Sequence, residues 1–320
     1  MSVIVCTKDR YSSARRCLDA IFSSELDDFP YEVIVIDGSK SSPIRARFES
    51  ECLALGARYS LACIGIARAR NIGIRIANGR IVVFLDDDIV VTRAAIRNLV
   101  AHYASPRVAA CPGRIVSLRD DWLSRLFEKY SSYDRGVRGY EVGRNDMNVI
   151  TLLKSGVAHL VGSSVKVNPP PYSLSYGLYS FRKGVLENLG GFDENLGRGT
   201  PQRGGEDVDM YYRILRHGYV IVYEPRSIAY HDHKHSFEEM LDQAYSNGCS
   251  IAALAKKHLR TDPYPVLMLF GDILRCILTS LRATLQGAGE LRKLSQARLA
   301  GISARIIRPP KTLESDLRLK

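Results

Sequence analysis

Short apolar runs alternate with longer stretches of helical spacing over the first ninety residues. Ser2–Cys6, Glu32–Asp37 and Ile81–Leu85 are rich in β-branched side chains and end at polar residues. Ser13–Ser23 and Ile66–Ala77 between them carry apolar residues at helical intervals. The pattern predicts β-α-β-α-β and a parallel sheet buried on both faces. Ligands of such sheets bind beyond the carboxyl ends of the strands. That rule singles out Thr7, Lys8, Asp9 and Arg10, then Asp37, then Asp86, Asp87 and Asp88. From Val108 to Pro171 the periodicity weakens, and mixed strands with a mobile loop over Asp134–Asp146 are expected. Further on, the spacing predicts a short helix at 184–190, a flexible glycine-rich loop at Gly197–Gly205 and a helix over Asp207–His217. A strand at Tyr219–Tyr223 follows, and mostly helix from Phe237.

Composition describes a globular chain: 320 residues, 46% hydrophobic and 25% charged, which excludes disorder, collagen and small disulfide scaffolds. The net charge of +11 is uneven. Residues 1–255 hold 32 Lys and Arg against 29 Asp and Glu, whereas residues 256–320 hold 13 against 5. In that basic tail Val266, Leu267, Phe270, Ile273, Leu274, Ile277, Leu278, Leu281 and Leu285 recur at helical spacing, and a second helical segment follows Gly287-Ala288-Gly289. Two readings stand side by side: docking on an anionic membrane surface, or packing on the rest of the protein with solvated basic edges. Asp272 and Arg275 interrupt the apolar run and argue against a spanning helix. Nucleic acid is not an expected partner, because the tail has few aromatic residues among its basic ones. Seven cysteines without a Cys-x-x-Cys pair suggest neither a zinc cluster nor a disulfide framework. With no secretory signal, a cytoplasmic protein is expected, peripheral on the inner face of the membrane if the tail docks.

Three groups of residues carry candidate chemistry. If the third strand continued, Asp86 and Asp88 would share a side and could converge on one hard divalent cation, with Asp87 pointing elsewhere. Glu206 and Asp207 follow Gly204-Gly205 at a loop-to-helix junction, where a carboxylate either caps the helix or serves as a general base. His231, His233 and His235 alternate with Asp232 and Lys234, as a metal site or as a solvated cluster.

Six motifs, in order, are Val3–Arg10, Val33–Ser39, Ala69–Gly73, Gly79–Asp88, Gly190–Glu194 and Gly204–Asp209. Over residues 2–235 they resemble a bacterial-type family 2 nucleotide-sugar glycosyltransferase, inverting and of the GT-A fold. The resemblance implies an α/β catalytic domain over 1–236, a Rossmann-like mixed sheet flanked by helices. Residues 237–320 would form a helical, basic, amphipathic extension. It implies that Thr7, Arg10, Asp37, Arg70, Asp86 and Asp87 serve the nucleotide sugar, and that Asp88 and His231 hold Mg²⁺ or Mn²⁺. Asp207 would be the catalytic base and Glu206 the acceptor-side carboxylate beside it, while His233 and His235 inherit no role. The donor would be a nucleotide-diphosphate sugar, UDP-linked by preference, and the acceptor a glycan or lipid-linked hydroxyl. The second motif departs from the family where Lys40 follows Asp37-Gly38-Ser39, which loosens the inference about the base. A nucleotidyltransferase would want a glycine-rich phosphate loop after the first strand, which Thr7-Lys8-Asp9-Arg10 does not supply. A non-catalytic sugar-binding module would not need every expected carboxylate.

Overall fold

The computed structural model describes residues 1–26, 28–62, 65–131, 133–147 and 177–307. Four strands lie parallel: β1 (Ser2–Thr7), β2 (Glu32–Asp37), β3 (Arg58–Leu61) and β4 (Ile81–Asp86). Their register sets Thr7 beside Asp37 and Cys6 beside Asp86, so the polar ends of three strands share one edge. Side-chain alternation divides the apolar residues of β1 between two cores. Val3 and Val5 join the core containing Leu18 and Val35, and Ile4 joins Phe84, Phe181 and Tyr211 on the other face.

Beyond β4 the sheet becomes mixed. β5 (Ile89–Val91), β6 (Val108–Ser117), β7 (Tyr140–Val142), β8 (Leu178–Arg182) and β9 (Val220–His231) complete an order of β3-β2-β1-β4-β8-β6-β9-β5, with β7 paired to β9. β8 runs antiparallel to both β4 and β6. β5 pairs antiparallel with the end of β9 so that Ile89 faces His231, and this register carries the histidine to the acidic turn after β4. β9 extends well past the expected Tyr219–Tyr223, because its second half gains β5 and β6 as partners.

The segment 134–146, expected as a mobile loop, is tied down. Asp134 accepts two hydrogen bonds of 2.7 Å from Arg114, and Tyr140 on β7 stacks on Tyr223 with ring centroids 4.9 Å apart. The rest of the mixed region, 148–171, lies outside the described residues. The glycine loop closes on itself through a bridge between Gly197 and Gly204.

Among the described residues three helices follow residue 236: Phe237–His258, Tyr264–Leu285 and Gly289–Ile307. Ser236 caps the first by accepting from Glu239 N. The first and third helices meet backbone to backbone. A Cβ on Gly248 would lie 2.0 Å from the carbonyl oxygen of Arg298, and one on Gly301 2.0 Å from that of Tyr245. These helices do not stand apart from the sheet domain. Ile251, Leu254 and Met268 share a core with Tyr212, and Met240 and Leu294 share another with Phe127 and Tyr130 of the helix Trp122–Ser131.

Candidate active site

A cavity of about 680 Å³ opens at the carboxyl edge of the sheet and runs under the C-terminal helices. Thr7, Arg10, Arg70, Asp86, Asp87, Asp88, Glu206, Asp207 and His231 all line it. Asp37 does not. Its carboxylate is fully buried, accepting from Ser39 N at 2.8 Å and from the Tyr59 hydroxyl at 2.6 Å, and its neighbour Gly38 reaches the cavity instead. Each oxygen of Asp37 thus accepts one hydrogen bond within the fold, which fixes the turn at the end of β2.

The acidic triplet is also arranged differently from simple alternation. β4 stops at Asp86, and Asp87 and Asp88 form a turn, so no continuing strand aligns Asp86 with Asp88. Asp86 turns to Arg70 at 3.2 Å. Asp87, nearly fully buried, accepts from the Thr7 hydroxyl at 2.7 Å and from Arg10. Burial and the adjacent Asp88 push its carboxyl up to about 7, although Arg10 opposes this. Asp88 accepts from Arg10 through Oδ2 at 2.7 Å.

Asp88 Oδ1 is buried with no hydrogen bond and lies 3.3 Å from His231 Nε2. A chain of contacts explains this. His231 Nδ1 is 2.6 Å from His233 Nδ1, and His233 Nε2 is 2.9 Å from Glu128 Oε1. Burial lowers the pKa of His233, so it sits neutral and donates Nε2–H to Glu128. Its Nδ1 then accepts from His231 Nδ1–H, which turns His231 Nε2 toward the Asp88 oxygen. An imidazole nitrogen beside a carboxylate oxygen is a donor set suited to a shared cation, and the hydrogen bond on the far ring nitrogen is what orients a metal-binding imidazole. Among the described residues no group of three or more His, Cys, Asp or Glu forms a metal site alone, so this pair would leave further positions to a ligand. The solvated-cluster reading fails for His233, which is 1% exposed. Alternate spacing revealed three histidines but gave no sign that Glu128, far away in sequence, closes the chain.

Glu206 and Asp207 begin the helix Glu206–Arg216, entered through Gly205 at φ +92°. A side chain on Gly205 would be strained there and would also crowd Ser250 of the first C-terminal helix. Glu206 is buried and accepts from Arg70 at 2.5 Å, so Arg70 bridges Glu206 and Asp86 across the cavity wall while resting against the rings of Tyr179 and Phe192. Burial, and then the charge of Asp207, push the Glu206 carboxyl up to about 7 despite Arg70. Asp207 is only partly buried and faces the cavity, with Oδ1 accepting from Val208 N. Asp209 pairs within this helix with Arg213 at 2.7 Å, and with Lys257 of the first C-terminal helix at 2.9 Å. Lys234 also lines the cavity, and burial lowers its pKa.

Residues 81–289 match the family described as Glycosyl transferase family group 2, and residues 2–157 match Glycosyl transferase family 2. The chain belongs to the family 2 glycosyltransferases. This glycosyltransferase is 27% identical over 309 residues to the pre-mycofactocin glycosyltransferase of Mycobacterium tuberculosis, covering 94% of this chain and 56% of the relative. The chain therefore spans little more than half the length of that relative. It is 21% identical over 257 residues to the O-antigen chain rhamnosyltransferase of Salmonella typhimurium, covering 78% of this chain and 73% of the other. Among solved structures it resembles a mannosyltransferase from Pyrobaculum calidifontis in complex with GDP-Man and Mn²⁺. The TM-score is 0.63 at 18% identity, over 97% of this chain and 87% of that one. It also resembles S. aureus TarS 1–349 in complex with UDP-GlcNAc, with a TM-score of 0.50 at 16% identity, over 95% and 91% of the two chains. These likenesses show the GT-A fold.

Proposed function

We propose that this glycosyltransferase moves a sugar from a nucleotide-diphosphate donor to a hydroxyl of a glycan or lipid-linked acceptor, with inversion, in envelope polysaccharide or glycoconjugate synthesis. The observation that carries this reading is the convergence on one cavity of Asp207, the Asp88–His231 pair and the cationic Arg10 and Lys234. Asp207 takes the acceptor's proton as its oxygen attacks the anomeric carbon opposite the diphosphate. Glu206 is poorly suited to that task, since Arg70 holds it and burial favours its neutral form. Its part is to fix the position of Arg70, and through it Asp86. Asp88 and His231 would hold Mg²⁺ or Mn²⁺, which supplies charge neutralisation for the leaving diphosphate. Arg10 and Lys234 add positive charge from the chain itself. Thr7 keeps Asp87 in place, and Asp37 shapes the Gly38 turn at the nucleotide end. The donor class is a nucleotide-diphosphate sugar, with UDP-linked sugars first to be tried and GDP-linked sugars next. Release of nucleoside diphosphate from such donors tests the reading.

Peripheral docking on the cytoplasmic face of the membrane is the second element of the proposal. On the helix Tyr264–Leu285, Leu267, Phe270, Leu274, Ile277, Leu281 and Leu285 form an exposed apolar stripe, with Arg282, Arg292 and Lys293 exposed near its end. Among the described residues no helix is long and apolar enough to cross a membrane. The stripe suits an interfacial position in which basic side chains meet anionic headgroups. Vesicles containing phosphatidylglycerol should carry the protein upward in a flotation gradient, and Phe270→Ser with Leu274→Ser should lower the floated fraction several-fold. Equal flotation of the double variant would remove the membrane reading.

A further inference from the structure

The cavity does not end at the catalytic carboxylates. Phe127 and Tyr130 line it too, as do Asp272, Arg275 and Arg298, contributed by the second and third C-terminal helices. Asp272 is 1% exposed and accepts from Arg275 Nη2 at 2.9 Å and Arg298 Nε at 2.6 Å. One buried carboxylate thus faces two guanidinium groups whose side chains are only 19% and 13% exposed. Among the described residues Asp272 is the acid paired with either arginine, so the group keeps a surplus positive charge at the cavity wall. The Nη1 and Nη2 donors of Arg298 are not taken up by Asp272, which uses Nε. A desolvated cation with spare donors in a cavity is stabilised by an anion that accepts from them.

We propose that Arg275 and Arg298 form an oxyanion site for an acidic group, a carboxylate or a phosphate, on the acceptor. This rests on the glycosyl-transfer reading for the word acceptor alone; the site itself stands on the charge and the cavity. Asp272 is then a positioning residue that splays the two guanidinium groups, and Phe127 and Tyr130 line the same cavity. The acceptor hydroxyl meets Asp207 while its acidic group is held at the opposite end, which selects anionic over neutral acceptors of similar size.

Full-length protein is titrated with inorganic phosphate, methyl glucuronide and methyl glucoside, read by thermal shift and calorimetry. Either anion should bind the wild type, and Arg298→Gln should weaken it by on the order of tenfold or more. Arg298→Lys, which keeps the charge, should retain part of the affinity. A preference for phosphate points to a phosphorylated acceptor, and a preference for the glucuronide to an acidic sugar. If Arg298→Gln does not fold, Arg275→Gln provides the same comparison. The proposal is overturned if the folded Arg298 or Arg275 variant binds anions as well as wild type, if neither anion binds, or if the glucoside binds equally. Donor consumption is read separately: its absence would remove the glycosyl-transfer reading while anion binding at Arg298 stood.

Discussion

The Asp207→Asn variant is expected to fold, to bind nucleotide sugar within about twofold of wild type, and to lose transfer by roughly 10²- to 10⁴-fold, the usual worth of a positioned general base. The substitution changes charge and proton affinity but hardly volume. Asp207 sits in the first turn of its helix, partly exposed to the cavity, whereas the anchoring of that helix falls to Asp209 with Arg213 and Lys257. Glu206 cannot easily substitute, because a base must be ionised and within reach, and Glu206 is buried against Arg70. Calorimetry measures the binding and nucleoside diphosphate release measures the transfer. Turnover within a few-fold of wild type would remove Asp207 as the base.

Asp88→Asn should act on the other half of the reaction. In the presence of Mn²⁺ its affinity for a nucleoside diphosphate is expected to fall at least tenfold, since loss even of groups behind a metal ligand costs about 10- to 100-fold. Without the cation, wild type and variant should bind almost alike. The substitution takes a negative oxygen away from the face shared with His231, while an amide oxygen can still accept from Arg10. His231→Ala should behave in the same direction. Equal affinities with Mn²⁺ present would mean that the pair has another purpose.

The parallel half of the fold was legible because its strands are buried on both faces and read as continuous apolar runs. β2 begins and ends where the pattern puts it, and β1 and β4 each extend one residue further. β3 was not legible. Arg58, Tyr59, Ser60 and Leu61 form an edge strand with no fully buried member, yet Tyr59 supplies the hydroxyl that hydrogen-bonds Asp37. The acidic triplet announced the site, but its internal arrangement depends on where β4 stops and on Arg10 and Arg70 arriving from other elements. His233 illustrates the same limit, for its burial follows from the helix bearing Glu128 packing across the end of β9. The amphipathic spacing of residues 266–285 was plain in the sequence. Its polar interruptions, Asp272 and Arg275, read there only as obstacles to a spanning helix, and the fold turns them inward onto the cavity.

The central claim, cation-assisted transfer from a nucleotide sugar at the Asp88–Asp207 cavity, is tested most directly by nucleoside diphosphate release. Purified protein is incubated with a panel of UDP- and GDP-linked sugars and an acidic glycan acceptor, with Mn²⁺ or with EDTA. The account predicts that one donor class is consumed, that EDTA suppresses the rate and that added Mn²⁺ restores it. Consumption indifferent to EDTA, or no consumption of any donor by the folded protein, would contradict it.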